Sequence, residues 1–109
     1  MNTEIELILS KHSEKTVELF LRLRDIIYEA AEVEPREILW ARLPSYCVGD
    51  SFVRLIPFSD HINIEARAIA DHKGELQGHK LTPKGMLQIF VGQSIPVSVL
   101  KVIFNETLR

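Results

Sequence analysis

Side chains that could bind a ligand or transfer a proton recur at alternate positions of four short segments. Successive residues of a β-strand point to opposite faces of its sheet, so His61, Asn63 and Glu65 share one face and aliphatic residues share the other. A histidine near a carboxylate can act as a general base, and arginine and amide groups can hold an anion. We call this surface the mixed face. Its candidate ligand-binding residues are Trp40, Arg42, Tyr46, Arg54, His61, Asn63, Glu65, Lys84 and Gln88.

The cations of the mixed face favour an anionic ligand or an acidic partner. Arg42 and Arg54 fall on it together, and Lys84 precedes a glycine at the start of the last predicted strand, where an anionic group could dock. Too few glycines precede Lys84 for a phosphate-binding P-loop. Trp40 could instead be a contact in a homodimer or with another protein partner. His61 could equally be a structural hydrogen-bonding group.

Four glutamates at the end of the first long helix and the start of the next strand form a second candidate site. This acidic ridge consists of Glu29, Glu32, Glu34 and Glu37. Carboxylate oxygens are hard donors that can hold a metal ion weakly and release it. The alternative is a solvated helix surface, because Arg22 and Arg36 lie among the acids and neutralise their field.

Two other groups of reactive residues carry less weight. Asp71, His72, Glu75 and His79 are candidate metal ligands, because the last three would align on one side of a continuous helix. Two intervening glycines make that continuity doubtful, so ordinary surface residues are expected. Cys47 has no neighbouring histidine motif that would activate its thiol. The sequence contains no complete catalytic set, so a binding function is favoured over an enzymatic one.

Helical and strand periodicity predict the elements that position these residues. Residues 13–33 repeat apolar side chains at helical spacing, with Ser13 as the N-cap and Pro35 as the stop. Pro44 is expected to interrupt the first strand, and Gly49 to begin a tight turn. The predicted elements are helices 3–9, 13–33, 67–76 and 96–108, strands 37–42, 52–58, 61–66 and 86–91, a short extended segment 46–48 and a loop over 77–85.

These elements predict an α+β fold. Consecutive strands joined by short links must be antiparallel. We therefore expect a single domain over residues 1–109, with an antiparallel sheet of about five strands and the N-terminal and C-terminal helices packed on one face. The helices require the aliphatic face, and the mixed face is then left open.

The composition is typical of a soluble globular protein. The 109 residues are 46% hydrophobic and 26% charged, and the net charge of −2 provides no bulk attraction for nucleic acid. A single cysteine, Cys47, fits a reducing compartment, so the cytoplasm is the expected location. No run of about 20 apolar residues predicts a membrane-spanning helix, and the first ten residues lack the pattern of a secretory signal.

An ordered series of segments resembles the YdhG-like family, a widespread bacterial domain of largely unassigned function. The segments are 37–46 (EILWARLPSY), 58–64 (FSDHINI), 82–89 (TPKGMLQI) and 95–96 (IP). The resemblance covers nearly the whole chain and implies a compact α+β domain. Part of that family is labelled as a frataxin-like, intracellular iron chaperone. For such a role the acidic ridge would supply the metal ligands.

Three functions are therefore open on the sequence. The first is a small YdhG-like binding protein that carries iron on the acidic ridge. The second is a pocket for a small anionic ligand on the mixed face. The third is an interaction module whose mixed face contacts a second copy of the chain or another protein.

Overall fold

The computed structural model describes residues 1–109 as three α-helices and six β-strands. The helices are α1 (Thr3–Leu9), α2 (Glu14–Ala30) and α3 (Val97–Thr107). The strands are β1 (Arg36–Trp40), β2 (Leu43–Val48), β3 (Ser51–Pro57), β4 (His61–Ala66), β5 (Lys80–Leu81) and β6 (Leu87–Phe90), and a 3₁₀ segment (Arg67–Leu76) follows β4. None of the helices has both the length and the apolar character needed to cross a membrane.

Helix α2 begins at its predicted cap. The Ser13 hydroxyl accepts a hydrogen bond from the N–H of Thr16 at 3.3 Å, which satisfies one of the unpaired donors of the first turn. The helix stops at Ala30, three residues short of the predicted end, because Ala31 already has an extended conformation. Its apolar side is buried, with Phe20 fully enclosed. Periodicity therefore located the helix, and local backbone geometry decided its end.

The strands form one antiparallel sheet in the order β1-β2-β3-β4-β6-β5. Six strands are present where the sequence predicted about five. The segment expected to be extended only over residues 46–48 is part of the full strand β2, and the predicted loop over residues 77–85 contains β5.

The predicted interruption of the first strand at Pro44 is wrong. The strand ends two residues before its predicted end, and the chain reverses at Ala41 and Arg42, whose φ angles are 49° and 65°. Positive φ at both residues is the geometry of a two-residue hairpin turn. Pro44 lies inside β2, opposite Leu39, while pairing of β2 with β3 begins only at Ser45. A proline is tolerated there because, at Pro44 itself, β2 is paired with β1 and not yet with β3.

Helices α2 and α3 pack on the same face of the sheet and against each other. The strand residues beneath them are fully buried and aliphatic: Val53, Leu55, Ile62, Ile64, Leu87 and Ile89. They join the helix side chains in one continuous hydrophobic core. The predicted α+β class and the expectation that the helices cover the aliphatic face of the strands are both confirmed.

The opposite, mixed face is open to solvent. Its residues on β3, β4 and β6 are partly exposed, apart from Asn63, which is 8% exposed. Two large aromatic side chains stand out at this surface, Trp40 with 54% of its area exposed and Phe58 with 42%. Large apolar groups at an open surface can mark a site of contact with a ligand or a partner. The mixed face therefore exposes aromatic, charged and amide side chains to solvent.

Candidate functional site

Arg54 organises the centre of the mixed face. Its guanidinium lies 4.1 Å from the ring centroid of Trp40 and 3.7 Å from that of Phe52. It forms an ion pair with Glu65 at 3.2 Å, and its Nε donates a hydrogen bond to the buried hydroxyl of Ser45 at 3.2 Å. Cation–π contacts and a charged hydrogen bond together fix this side chain. Arg54 and Glu65 are therefore occupied with each other and act as supports of the surface.

His61 lies in a row of aromatic rings at the end of β4. Its ring stacks on Phe58 at a centroid distance of 4.7 Å and lies 4.9 Å from the ring of Phe90. The imidazole Nδ1 is 2.8 Å from the carboxylate of Asp60. The carboxylate near this histidine is thus Asp60, whereas Glu65, the acid that the sequence suggested, faces Arg54.

Asn63 and Gln88 face each other across the β4–β6 pair, as the mixed-face assignment requires. The Gln88 side chain donates a hydrogen bond to the Asn63 carbonyl oxygen at 3.1 Å. Its amide nitrogen also lies 3.5 Å from Nε2 of His61. Both amides therefore lie on the predicted surface, but they are hydrogen bonded to each other.

Two predicted members of the mixed face lie elsewhere. Tyr46 pairs with Val53 in the β2–β3 register, which turns its side chain toward the helices, and it is fully buried. Arg42 lies in the hairpin turn and lines a groove against α1, beside Leu39. Both assignments failed because the sequence did not reveal β2 as a separate strand with its own register.

Tyr46 belongs to a buried polar cluster on the helix side. The Arg24 guanidinium binds the Glu37 carboxylate, with Nε 2.5 Å from Oε2, and it also lies 4.7 Å from the ring centroid of Tyr28. Burial by itself would raise the pKa of the Glu37 carboxyl, but hydrogen bonds from Arg24 and from the Asn2 N–H outweigh it, so this pKa lies below its usual value. Burial raises the pKa of the Tyr46 phenol, which stays protonated. The cluster joins α2 to β1 and β2.

The acidic ridge is not assembled as a metal-binding group. Glu37 is held in the buried cluster, Glu29 forms ion pairs with Arg22 and Lys101, and Glu32 accepts a hydrogen bond from Asn105. The remaining member of the ridge, Glu34, is exposed. No group of three or more histidine, cysteine, aspartate or glutamate side chains in the structure is arranged to hold a metal ion. The predicted ridge is therefore a set of separate contacts.

The largest cavity lies beside the mixed face, between the end of β4, the 3₁₀ segment and the loop before β6. We call it the basic cleft. Its volume is about 460 Å³. Its lining residues are Phe52, Glu65, Ala66, Arg67, Ala70, Lys73, Pro83, Lys84, Gly85 and Met86. The cleft brings together two predicted ligand-binding residues, Glu65 and Lys84, with two cations that sequence reasoning missed, Arg67 and Lys73.

The signal for the missed residues is a period of three. Arg67 and Ala70 lie one 3₁₀ turn apart on the same side of the segment, and Lys73, the next residue at this spacing, follows the kink at His72. The loop that supplies Lys84 is pinned by Thr82, whose carbonyl accepts from the Gly85 N–H at 2.8 Å. Gly85 has a φ of +89°, which glycine adopts without strain.

Some charged side chains of the basic cleft have partners within the protein, and others do not. Arg67 donates a hydrogen bond to the Glu106 carbonyl at 2.9 Å, and Glu65 is paired with Arg54. Lys73 and Lys84 are exposed and form no ion pair or hydrogen bond in the structure. The cleft therefore offers two free ammonium groups and one partly engaged guanidinium to a negatively charged molecule.

His72 lies on the same 3₁₀ segment but is engaged with carboxylates. Its Nε2 is 2.7 Å from Glu106 on α3, and its Nδ1 is 2.7 Å from Glu75. Hydrogen bonds first to Glu106 and then to Glu75 raise the pKa of this imidazole above its usual value. The helical alignment with His79 does not occur, because the segment is kinked at His72.

Comparisons of the chain with protein-family models, with curated proteins and with solved structures find no match.

Proposed function

We propose that this protein binds a small organic anion in the basic cleft. The observation that carries the proposal is the convergence of Arg67, Lys73 and Lys84 on one cavity whose only carboxylate, Glu65, is already paired with Arg54. Uncompensated cations facing a shared cavity attract a carboxylate or phosphate group. The proposal retains the anionic ligand that the sequence favoured and moves its site to one side of the mixed face.

The size and lining of the cleft favour an organic molecule over a bare inorganic ion. A volume of about 460 Å³ falls in the range of small-molecule sites. Phe52, Ala66, Ala70 and Met86 give the cleft apolar walls against which a carbon skeleton can pack. The two lysines would hold the anionic end, and the apolar walls would select the rest of the molecule.

A thermal-shift screen tests this function directly. The purified protein is melted with inorganic phosphate, dicarboxylates, aromatic carboxylates and phosphorylated sugars. A ligand at about 100 times its Kd adds about 2.7 kcal/mol to the free energy of unfolding. Lys73→Gln combined with Lys84→Gln should abolish the rise in Tm. Lys11→Gln combined with Lys15→Gln removes the same charge from other exposed positions and should preserve it.

Two results would contradict the proposal. One is a screen in which no organic anion raises Tm. The other is a rise that persists in the cleft double variant. If such a persistent rise disappears in His61→Ala, the anion binds on the mixed face, as the sequence first suggested.

Membership of the YdhG-like family and the iron-chaperone role stay predictions. The arrangement of the acidic ridge does not support the iron-chaperone role, because three of its four glutamates bind side chains of this protein. Titration of the metal-free protein with ferrous and ferric iron tests the role. Saturable binding that is lost in Glu32→Gln combined with Glu34→Gln would favour it over the basic cleft, and absence of binding would remove it.

A further inference from the structure

Strand β1 is a free edge of the sheet. It has five residues and contains no proline, whereas the strand at the other edge, β5, has two residues. Unpaired N–H and C=O groups along an edge strand are a template for pairing with another strand. Of the two edges, only β1 is long enough to accept a partner over several residues.

The hairpin geometry shows which backbone groups of β1 are free. The two-residue turn closes on the pair Trp40 and Leu43, so hydrogen-bonded pairs with β2 alternate from that point. Glu37 and Leu39 therefore direct their N–H and C=O groups away from β2. No turn, cap or side chain in the structure hydrogen bonds to these backbone groups.

An antiparallel copy of β1 fits this edge in one register. With Ile38 of each copy on the twofold axis, Glu37 of one copy faces Leu39 of the other, and both residues use their free N–H and C=O groups. Shifting the axis to Glu37 would oppose Leu39 to Pro35, which has no N–H to donate. Shifting it to Leu39 would oppose Glu37 to Ala41, where the chain already turns back.

The side chains are complementary in the same register. Arg36 of one copy lies opposite the exposed Trp40 of the other, which suits a cation–π contact. Ile38 lies against its own counterpart.

An apolar groove next to β1 adds to this surface. It has a volume of about 340 Å³ between α1 and the β1–β2 turn, and its lining includes Leu7, Ile8 and Leu39. Leu7 is 66% exposed. A second copy paired at β1 would bring its own α1 beside this groove and cover these side chains on the helix side of the sheet.

We propose that two copies of this chain associate by antiparallel pairing of β1 with β1, centred on Ile38, to form one continuous sheet. This interface leaves the basic cleft of each copy free, since the cleft is built on β3, β4 and the segments that follow them. The same interface would cover two side chains that are exposed in the single chain, Trp40 and Leu7.

Two measurements on the unmodified protein test the proposal. Sedimentation velocity over a range of protein concentrations measures the dimer fraction, and amide hydrogen exchange shows which backbone groups the dimer protects. We expect a monomer–dimer equilibrium in which the Glu37 and Leu39 amides become protected as the dimer fraction rises. Ile38→Lys places two ammonium groups at the twofold axis and should weaken the dimer by about tenfold or more. Val102→Lys, at an exposed apolar position on α3, should leave it unchanged.

A protein that stays monomeric at every accessible concentration would overturn the proposal. A dimer in which the Glu37 and Leu39 amides exchange as fast as in the monomer would also overturn it, because such a dimer uses another surface. The amide measurement needs no variant, so it remains decisive even if Ile38→Lys fails to fold.

Discussion

Replacing Glu37 by glutamine should destabilise the protein, because this carboxylate is the centre of a buried hydrogen-bond network. Its oxygens accept hydrogen bonds from the Arg24 guanidinium and from the N–H of Asn2. The side chains of Glu37 and Arg24 are 9% and 22% exposed, so water has little access to either. Glutamine keeps the shape of the side chain but offers these donors a single uncharged oxygen.

The magnitude follows from the contacts that glutamine cannot make. A hydrogen bond to a charged group contributes about 1.5–3 kcal/mol, and the variant loses one of the three and weakens the other two. We expect the free energy of unfolding to fall by about 2–3 kcal/mol, less than the roughly 3–5 kcal/mol lost when a fully buried ion pair is broken. For a domain of this size the corresponding fall in Tm is roughly 10–15 °C.

The effect should depend on pH with a definite sign. The pKa of Glu37 is lower in the folded protein than in the unfolded chain. Its contribution to stability is therefore complete above the unfolded value and is lost as the pH falls through the folded value. The difference in unfolding free energy between the wild type and Glu37→Gln should be largest near neutral pH and smaller in acid.

Urea unfolding at neutral and acidic pH measures these differences. Glu34→Gln is the matched control, since Glu34 is exposed and forms no hydrogen bond or ion pair, and its effect should stay within about 0.5 kcal/mol. On the acidic-ridge interpretation the two glutamates are equivalent surface ligands. Equal unfolding midpoints for the two variants would refute the structural role that we assign to Glu37.

Three further predictions concern the mixed face and its surroundings. The contribution of His72 to stability should be complete below the unfolded pKa of 6.5 and disappear as the pH rises through its raised folded pKa. Urea unfolding of the wild type and of His72→Gln checks the contact with Glu106, because the variant should lack this pH dependence. Arg54→Ala should lower the free energy of unfolding by about 2 kcal/mol. It should also shift the fluorescence emission of Trp40, the single tryptophan, to longer wavelength, and unchanged emission would contradict the contact between Arg54 and the Trp40 ring. Ala70→Phe should fill the basic cleft and abolish the anion-dependent rise in Tm without destabilising the exposed position; a persistent rise would place the anion elsewhere.

The sequence predicted the parts of the fold that rest on strong local periodicity. Strands β3, β4 and β6 alternate aliphatic and mixed residues, so their two faces could be assigned before any pairing was known. Strand β2 carries Pro44 and Ser45 in place of a clean alternation, and its pairing depends on the turn at Ala41 and Arg42. The position of Tyr46 depended on that register and was therefore assigned to the wrong face.

The candidate site was predicted only in part, because it is assembled from distant segments. Glu65 and Lys84 could be named from the chain, but their meeting depends on how the loop before β6 folds against the 3₁₀ segment. Arg67 and Lys73 were missed because a period of three is not the period of an α-helix. Conversely, the acidic ridge looked continuous in sequence, while Glu37 turns into the core and Glu29 turns toward Lys101.

The order of the first four strands has a consequence for how the chain folds. Strands β1 to β4 are neighbours in the sheet in the same order as in the sequence, joined by the short links 41–42, 49–50 and 58–60. Such contacts are local, and local contacts need little loop closure before they form. We expect this four-stranded meander to be structured in the folding transition state, with the docking of α3 following late. The helix that completes the hydrophobic core would then control mainly the unfolding rate, and the hairpins would control the folding rate.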